Sequence, residues 1–267
     1  MPTFKITLAY DGAGYVGWQR QENGVSIQAR LEEALRALDG RDVTVTGAGR
    51  TDAGVHALGQ VASFTLAREL EPEAVARALN GQLSRDIRVI AAEQAPPGFH
   101  PQFSAHRKTY RYRLWNDEVM SPFEREYAWH VPGPLDIEAM SAAARLLEGR
   151  HDFVAFQAAG GSVATTEREI FESVFRISDP APRAPHLGPR TLHSQPLCYE
   201  ITGTGFLRHM VRIIVGSLVE VGRGRRPAEW IPGVVAARDR SLAGPTAPPQ
   251  GLFLVGVDYG GALAAGS

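Results

Sequence analysis

Cysteine is almost missing from this chain: Cys198 is the single one among 267 residues. An internal disulfide is therefore excluded, and a cysteine-built metal cluster has no ligands to draw on. Lysine is nearly as scarce, with Lys5 and Lys108 alone against 26 arginines. Arginine grips phosphates with a planar fork and stacks on bases, although codon bias or a hot habitat produces the same skew. No apolar run approaches the roughly 18–20 residues that a membrane span needs. No basic start leads into an apolar stretch, as it does in a secretory leader, so a reducing cytoplasm is the expected setting. Net charge is −1, so any affinity for a polyanion has to come from local patches.

Apolar residues make up 44% of the sequence, enough for one large domain or two of ordinary size. One pattern then recurs. Residues 4–10, "FKITLAY", alternate like a half-buried strand. In "SIQARLEEALRAL", Ile27, Leu31, Leu35 and Leu38 form a helical stripe. "DVTVTG" (42–47) and "QVASFTL" (60–66) read as strands, a helix starts near Pro72, and "DIRVIAA" closes the half. The second half opens with "KTYRYRLW", passes through the amphipathic "DIEAMSAAARLLEG", and continues in strands at 170–178 and 197–204. A long helix from Phe206, an additional one around 229–237, and the strand "GLFLVGVDY" complete it. Each half thus has the order β-α-β-β-α-β. The expectation is an α+β protein of two ferredoxin-like domains, 1–103 and 104–267, with antiparallel sheets and a central cleft. The segment 179–196 holds five prolines and reads as an exposed loop; the tail 260–267 reads as frayed.

The bend "GAGRTDAGVHALGQ" (47–60) sets a lone carboxylate, Asp52, among four glycines. The phosphate-cradle spacings Gly-x-Gly-x-x-Gly and Gly-Lys-Ser/Thr are both absent. Two readings stay open: a sharp turn capped by Asp52, or a reactive carboxylate delivered on a constrained loop. A carboxylate shut away from water drifts toward its neutral acid, and a neighbouring guanidinium such as Arg50 opposes that drift. Glycine admits both unusual dihedrals and close approach of a substrate.

"GAGRTDAGVHA" resembles the signature of the tRNA pseudouridine synthase A family. Further blocks agree in order: "YDGAGYVGWQRQ", "FHPQFSAHRKTYRYRLW", "HDFVAFQAAG", "TTEREI", "GFLRHMVRIIVGSLVEVG" and "GLFLVGVDY". The proline-rich segment matches no family block. The resemblance implies isomerisation of uridine to pseudouridine at positions 38, 39 and 40 of the tRNA anticodon stem-loop, by a homodimer, without cofactor or metal. It assigns the catalytic role to Asp52, as nucleophile at C1′ or C6 or as base at C2′. Tyr110 is implied to stack on the target base and to take the C5 proton, and Arg212 to reach Asp52. Leu252, with Leu254, is implied to wall the base. Arg107, Lys108, Arg111, Arg113 and the loop "GRGRR" (222–226) are candidate phosphate contacts. His56 has no serine or cysteine partner and reads as structural. Two rivals are weighed beside this: a nucleoside glycosidase, which normally needs two acids, and a catalytically silent RNA-binding module.

Overall fold

A computed structural model describes residues 1–161, 163–177 and 196–260. The proline-rich segment before Pro196 and the tail 261–267 lie outside the described residues. The protein is mixed α+β, with mostly antiparallel strands and, among the described residues, five α-helices. Contacts divide it into two compact units, residues 1–108 with 253–267, and residues 109–252.

In the first unit, β1 (Thr3–Tyr10) buries every second side chain, Phe4, Ile6, Leu8 and Tyr10, as its period of two requires. It lies antiparallel between β3 (His56–Thr65) and β4 (Ile87–Gln94). The outer edge of β3 is shared by β2 (Thr46–Gly47) and by two parallel pairs from β10 (Leu252–Asp258), Phe253 with His56 and Leu254 with Ala57. Helix α1 (Ile27–Asp39) is capped by Ser26, whose hydroxyl accepts from Ala29 N–H, and stops at left-handed Gly40. It buries Ile27, Leu31 and Leu35, while Leu38 is only half-buried. Helix α2 (Pro72–Gln82) begins with proline in its first turn and buries Val75 and Leu79.

The strand expected over 42–47 shrinks to Thr46–Gly47. Side chains of α1 take the ladder's place just before it: Gln28 Nε2 donates to the Val45 carbonyl at 2.9 Å, and Glu32 Oε1 accepts from Val45 N–H at 3.3 Å. Those backbone groups are satisfied without a partner strand.

The second unit takes up β5 (Arg107–Trp115) from Thr109 onward, β6 (Trp129–His130), β7 (Gly149–Asp152), β8 (Glu167–Ile177) and β9 (Pro196–Gly203). The strand order is β5-β9-β8-β7, with β6 parallel to β5. Helix α3 (Ile137–Arg145) packs on α4 (Met210–Gly222), and α5 (Trp230–Ala237) follows. The helix expected from Phe206 begins at Met210 instead. His209 stands at its N-cap with φ 60°, a left-handed turn that no α-helix carries through.

Nearly all of α4 is buried, leaving Arg212 and Glu220 half-exposed, the pattern of an interior helix. Gly216 and Gly244 let it meet the following loop backbone to backbone. A Cβ on Gly216 would fall inside the Pro245 carbonyl, and one on Gly244 would lie 2.6 Å from Ser217 Cα. Ser217 Oγ ties the two together, donating to Ile213 O and accepting from Gly244 N–H, both at 2.9 Å. Alanine at 216 gains up to about 1 kcal/mol of helix propensity and loses about 1–3 kcal/mol to overpacking against backbone that cannot retreat. Gly216→Ala is therefore expected to lower the urea unfolding midpoint, by about 1–2 kcal/mol of stability; an unchanged or higher midpoint would contradict this packing.

Candidate active site

The loop carrying Asp52 is held at many points, almost all of them backbone. Gly17 and Asp52 form an isolated antiparallel bridge, and Trp18 N–H donates to Thr51 O at 3.0 Å. Gly54 N–H donates to Tyr15 O at 3.3 Å, and Val55 N–H closes the turn onto Asp52 O at 3.1 Å. Gly17 has φ +107°, and a Cβ there would lie 2.5 Å from the Thr51 carbonyl. A Cβ on Gly12 would fall inside the Val55 carbonyl, and one on Gly47 would meet the Trp18 ring at 2.5 Å. The segments "YDGAGYVGW" and "GAGRTDAGV" thus lie flat on each other, and glycine is what lets them.

Side chains complete the clamp. The buried Tyr10 hydroxyl lies 2.8 Å from Thr51 Oγ1, and Gln60 Nε2 donates to Gly49 O at 2.9 Å. Burial pushes the Tyr10 phenol up to about 12, with the hydrogen bonds to Thr51 and Gln60 opposing the shift. The phenol stays protonated and able to donate throughout the physiological range. Lys108 Nζ donates to Ala48 O at 2.6 Å. A lysine read from the sequence as a phosphate contact is therefore also a strut of the loop. His56 is buried and stacked on Phe253 at 4.6 Å, with Nδ1 3.1 Å from both Gly12 N and Asp11 Oδ1. One nitrogen cannot serve both partners at once. Asp11 Oδ1 also accepts from Ala13 N–H at 3.0 Å, which ties the His56 ring to the start of the glycine-rich segment. Asp52 itself is half-buried, and Arg50 is exposed.

The second unit gathers its own set. On β5, Tyr110, Tyr112 and Leu114 face inward while Arg111 and Arg113 face the other way. Tyr110 is 8% exposed and meets Phe206 edge-on, with centroids 5.1 Å apart. Tyr112 donates to Pro248 O at 2.7 Å. Burial drives its phenol far upward, with the Arg212 charge opposing the rise. Arg212 and Ala247 are joined twice: Arg212 Nε donates to Ala247 O at 2.8 Å, and Ala247 N–H donates to Arg212 O at 3.0 Å. Gly251 presses on the Tyr112 ring, where a Cβ would lie 2.7 Å away, and Leu252 follows it, buried. Tyr112, Arg212 and the stretch from Ala247 to Leu252 form one packed group. The two candidate phosphate contacts on the opposite face have carboxylate partners, Arg111 with Glu200 at 2.6 Å and Arg113 with Glu124 at 2.7 Å.

Residues 6–104 and 143–260 match the family model of tRNA pseudouridine synthase. The chain belongs to that family, which is an isomerase family. It is 47% identical to tRNA pseudouridine synthase A of Myxococcus xanthus over 97% of its own length and 92% of the relative's. It is 44% identical to the protein of the same name from Moorella thermoacetica, and also 44% identical to that of Geobacter sulfurreducens. Each of these alignments covers 97% of this chain and all of the relative. Among the described residues no three histidine, cysteine, aspartate or glutamate side chains gather as a metal site, and no helix is long and apolar enough to cross a membrane.

Reading the sequence missed Tyr10, Gly12, Gly17 and Gln60 as parts of the site. The signal for Tyr10, Gly12 and Gly17 was present in "YDGAGYVGWQ", a block that spacing alone could not dock onto the Asp52 loop, and Gln60 lies on β3 eight residues past Asp52. Gly17→Ala tests the docking. It is expected to cut activity by roughly 100-fold through sub-ångström to ångström misplacement of Asp52, well beyond its effect on the urea midpoint. A loss of activity no larger than the loss of folded protein would contradict it.

Proposed function

We propose that this protein isomerises uridine to pseudouridine in tRNA, at positions 38, 39 and 40 of the anticodon arm. Family membership supports the reaction. The observation that carries the assignment to Asp52 is its loop, a half-buried carboxylate on backbone that glycines pin at Gly12 and Gly17. The N1–C1′ bond breaks with its electrons staying on the uracil, the uracil turns, C5 joins C1′, the C5 proton leaves to a base, and N1 takes up a proton. No atom is added and no electron is transferred, so the protein has to supply a nucleophile, a base and a dry place. Asp52 serves as nucleophile at C1′ or C6, or takes the C2′ proton.

Uridine in a stem must first be extruded, at a cost of a few kcal/mol. Stacking on Tyr110 returns roughly 1–3 kcal/mol of it, and in this reading the same phenol receives the C5 proton. Arg212 contributes fixed positive charge and Leu252 apolar contact to the base. Arg50 keeps the carboxylate charged, and Arg107, Lys108, Arg111, Arg113 and the loop 222–226 meet the RNA backbone. Two ferredoxin-like domains, a homodimer and a cytoplasmic setting complete this reading, for which the β-α-β-β-α-β order of β1 through β4 is the structural support.

Release of tritium from C5-labelled uridine in tRNA measures the reaction directly, since neither a glycosidase nor a silent binder releases it. Asp52→Asn is expected to abolish release while tRNA affinity persists; sustained turnover would remove the assignment. Tyr110→Phe separates stacking from proton transfer, because affinity is kept and release slows. Affinity is also expected to fall with salt, by roughly 0.7–0.9 log units per decade for each phosphate neutralised, and a flat response would remove the backbone contacts.

A further inference from the structure

Phe103 is 78% exposed, yet it is held in place rather than loose. Its ring stacks on His100, with centroids 4.3 Å apart and planes 28° from parallel. The turn beneath them is closed from both ends. His100 N–H donates to Ser104 Oγ at 3.1 Å, and Ser104 N–H donates to His100 O at 2.9 Å. The imidazole is locked as well, since Nδ1 accepts from the backbone N–H groups of Gln102 at 3.2 Å and Phe103 at 3.3 Å. That leaves the ring's proton on Nε2 and fixes its plane.

A second aromatic layer anchors the turn. Phe99 packs against Tyr259 at 5.0 Å, Tyr259 OH donates to Pro101 O at 2.7 Å, and Lys5 Nζ sits 4.8 Å and 5.5 Å from the centres of those two rings. A single exposed phenylalanine is ordinary on a protein surface. A ring stacked on an imidazole that two backbone donors immobilise, on a turn bolted to a cation–aromatic layer, has been organised to present a flat face.

We infer that the Phe103–His100 pair is a stacking platform for an unpaired base of the tRNA, distinct from the uridine that reacts. This rests on the reading of tRNA as substrate. The position suits it. Five residues of chain separate Phe103 from Lys108, a reach of at most about 18 Å, and Lys108 holds the Asp52 loop at Ala48. The platform and the Asp52 loop thus belong to the same compact unit, joined through Lys108. The chemistry suits it too. The protein carries a net charge of −1, which gives little general attraction to a polyanion, and stacking on an aromatic face is indifferent to charge and tolerant of base identity.

The test compares Phe103→Ala, Phe103→Leu and Phe103→Trp in tRNA binding and in tritium release. Alanine and leucine are expected to weaken binding by roughly 5- to 150-fold, with the loss in KM rather than kcat. Tryptophan is expected to restore it, and the salt slope and urea midpoint to stay as in the parent. Wild-type affinity in the leucine variant, or no rescue by tryptophan, overturns the platform. So does an alanine variant that loses self-association in sedimentation but keeps its tRNA affinity, because the face would then bind another copy of the chain. A parent protein that neither binds tRNA nor releases tritium overturns the proposed function instead, which separates the two failures.

Discussion

The arrangement depends on one close approach, that of the backbone of residues 12–18 to the backbone of residues 51–55. At Gly12 and Gly17 the approach leaves no room for a side chain, and at Gly17 the dihedral also excludes one at low cost. Backbone-to-backbone contact of this kind is stiff, because carbonyls at this distance cannot rotate away as side-chain ends can. Asp52 inherits that stiffness. If Asp52 acts on a substrate carbon, as proposed, it gains from being held to a fraction of an ångström, since effective concentration falls steeply with misplacement.

The stiffness is then shared outward. Tyr10 ends β1, so its position follows from the inward alternation Phe4, Ile6, Leu8, Tyr10 and from pairing with both neighbouring strands. Its hydroxyl reads that position into Thr51, next to the catalytic candidate. Gln60 on β3 does the same for Gly49, and Lys108 for Ala48. Three strands thus set the height of one loop. In the other unit α4 works similarly: burial on nearly every side fixes the helix, and its tie to Ala247 sets where the Arg212 guanidinium can point.

What could be read from the sequence follows from which interactions are local. Burial alternation on β1 and β5, the stripe of α1, and the proline start of α2 are all written within ten or so residues, and they appear where the pattern puts them. Asp52 stood out because its glycines are consecutive with it. The close approach was not legible, because Gly12 and Val55 are far apart in the chain and nothing at either position names the other. The short β2 failed for a related reason. Valines at 43 and 45 have strand character, but Gln28 and Glu32 satisfy Val45's backbone groups from another element, and no periodicity records that. His209 delayed the start of the expected helix through its own left-handed dihedral, which a side chain with modest tolerance for that region does not announce.

Charge closes the argument. Many of the arginines that give the sequence its skew are matched by carboxylates. Glu200 bridges Arg111 and Arg176, Arg176 also holds Glu172, and Arg150 holds Glu167. Pairs at the surface add little stability, but they do cancel the far field that would otherwise draw in any nucleic acid. A protein balanced in this way discriminates at short range. In the function and platform proposed above, guanidinium groups fork onto phosphates once RNA is close, while rings such as Tyr110 and Phe103 reward only a base that is free to leave its stack. On the proposed function, selectivity for a partly unpaired arm of RNA over other polyanions would follow from that division: the charge is nearly neutral at a distance, and the binding energy would come from contacts that only an unstacked nucleotide can make.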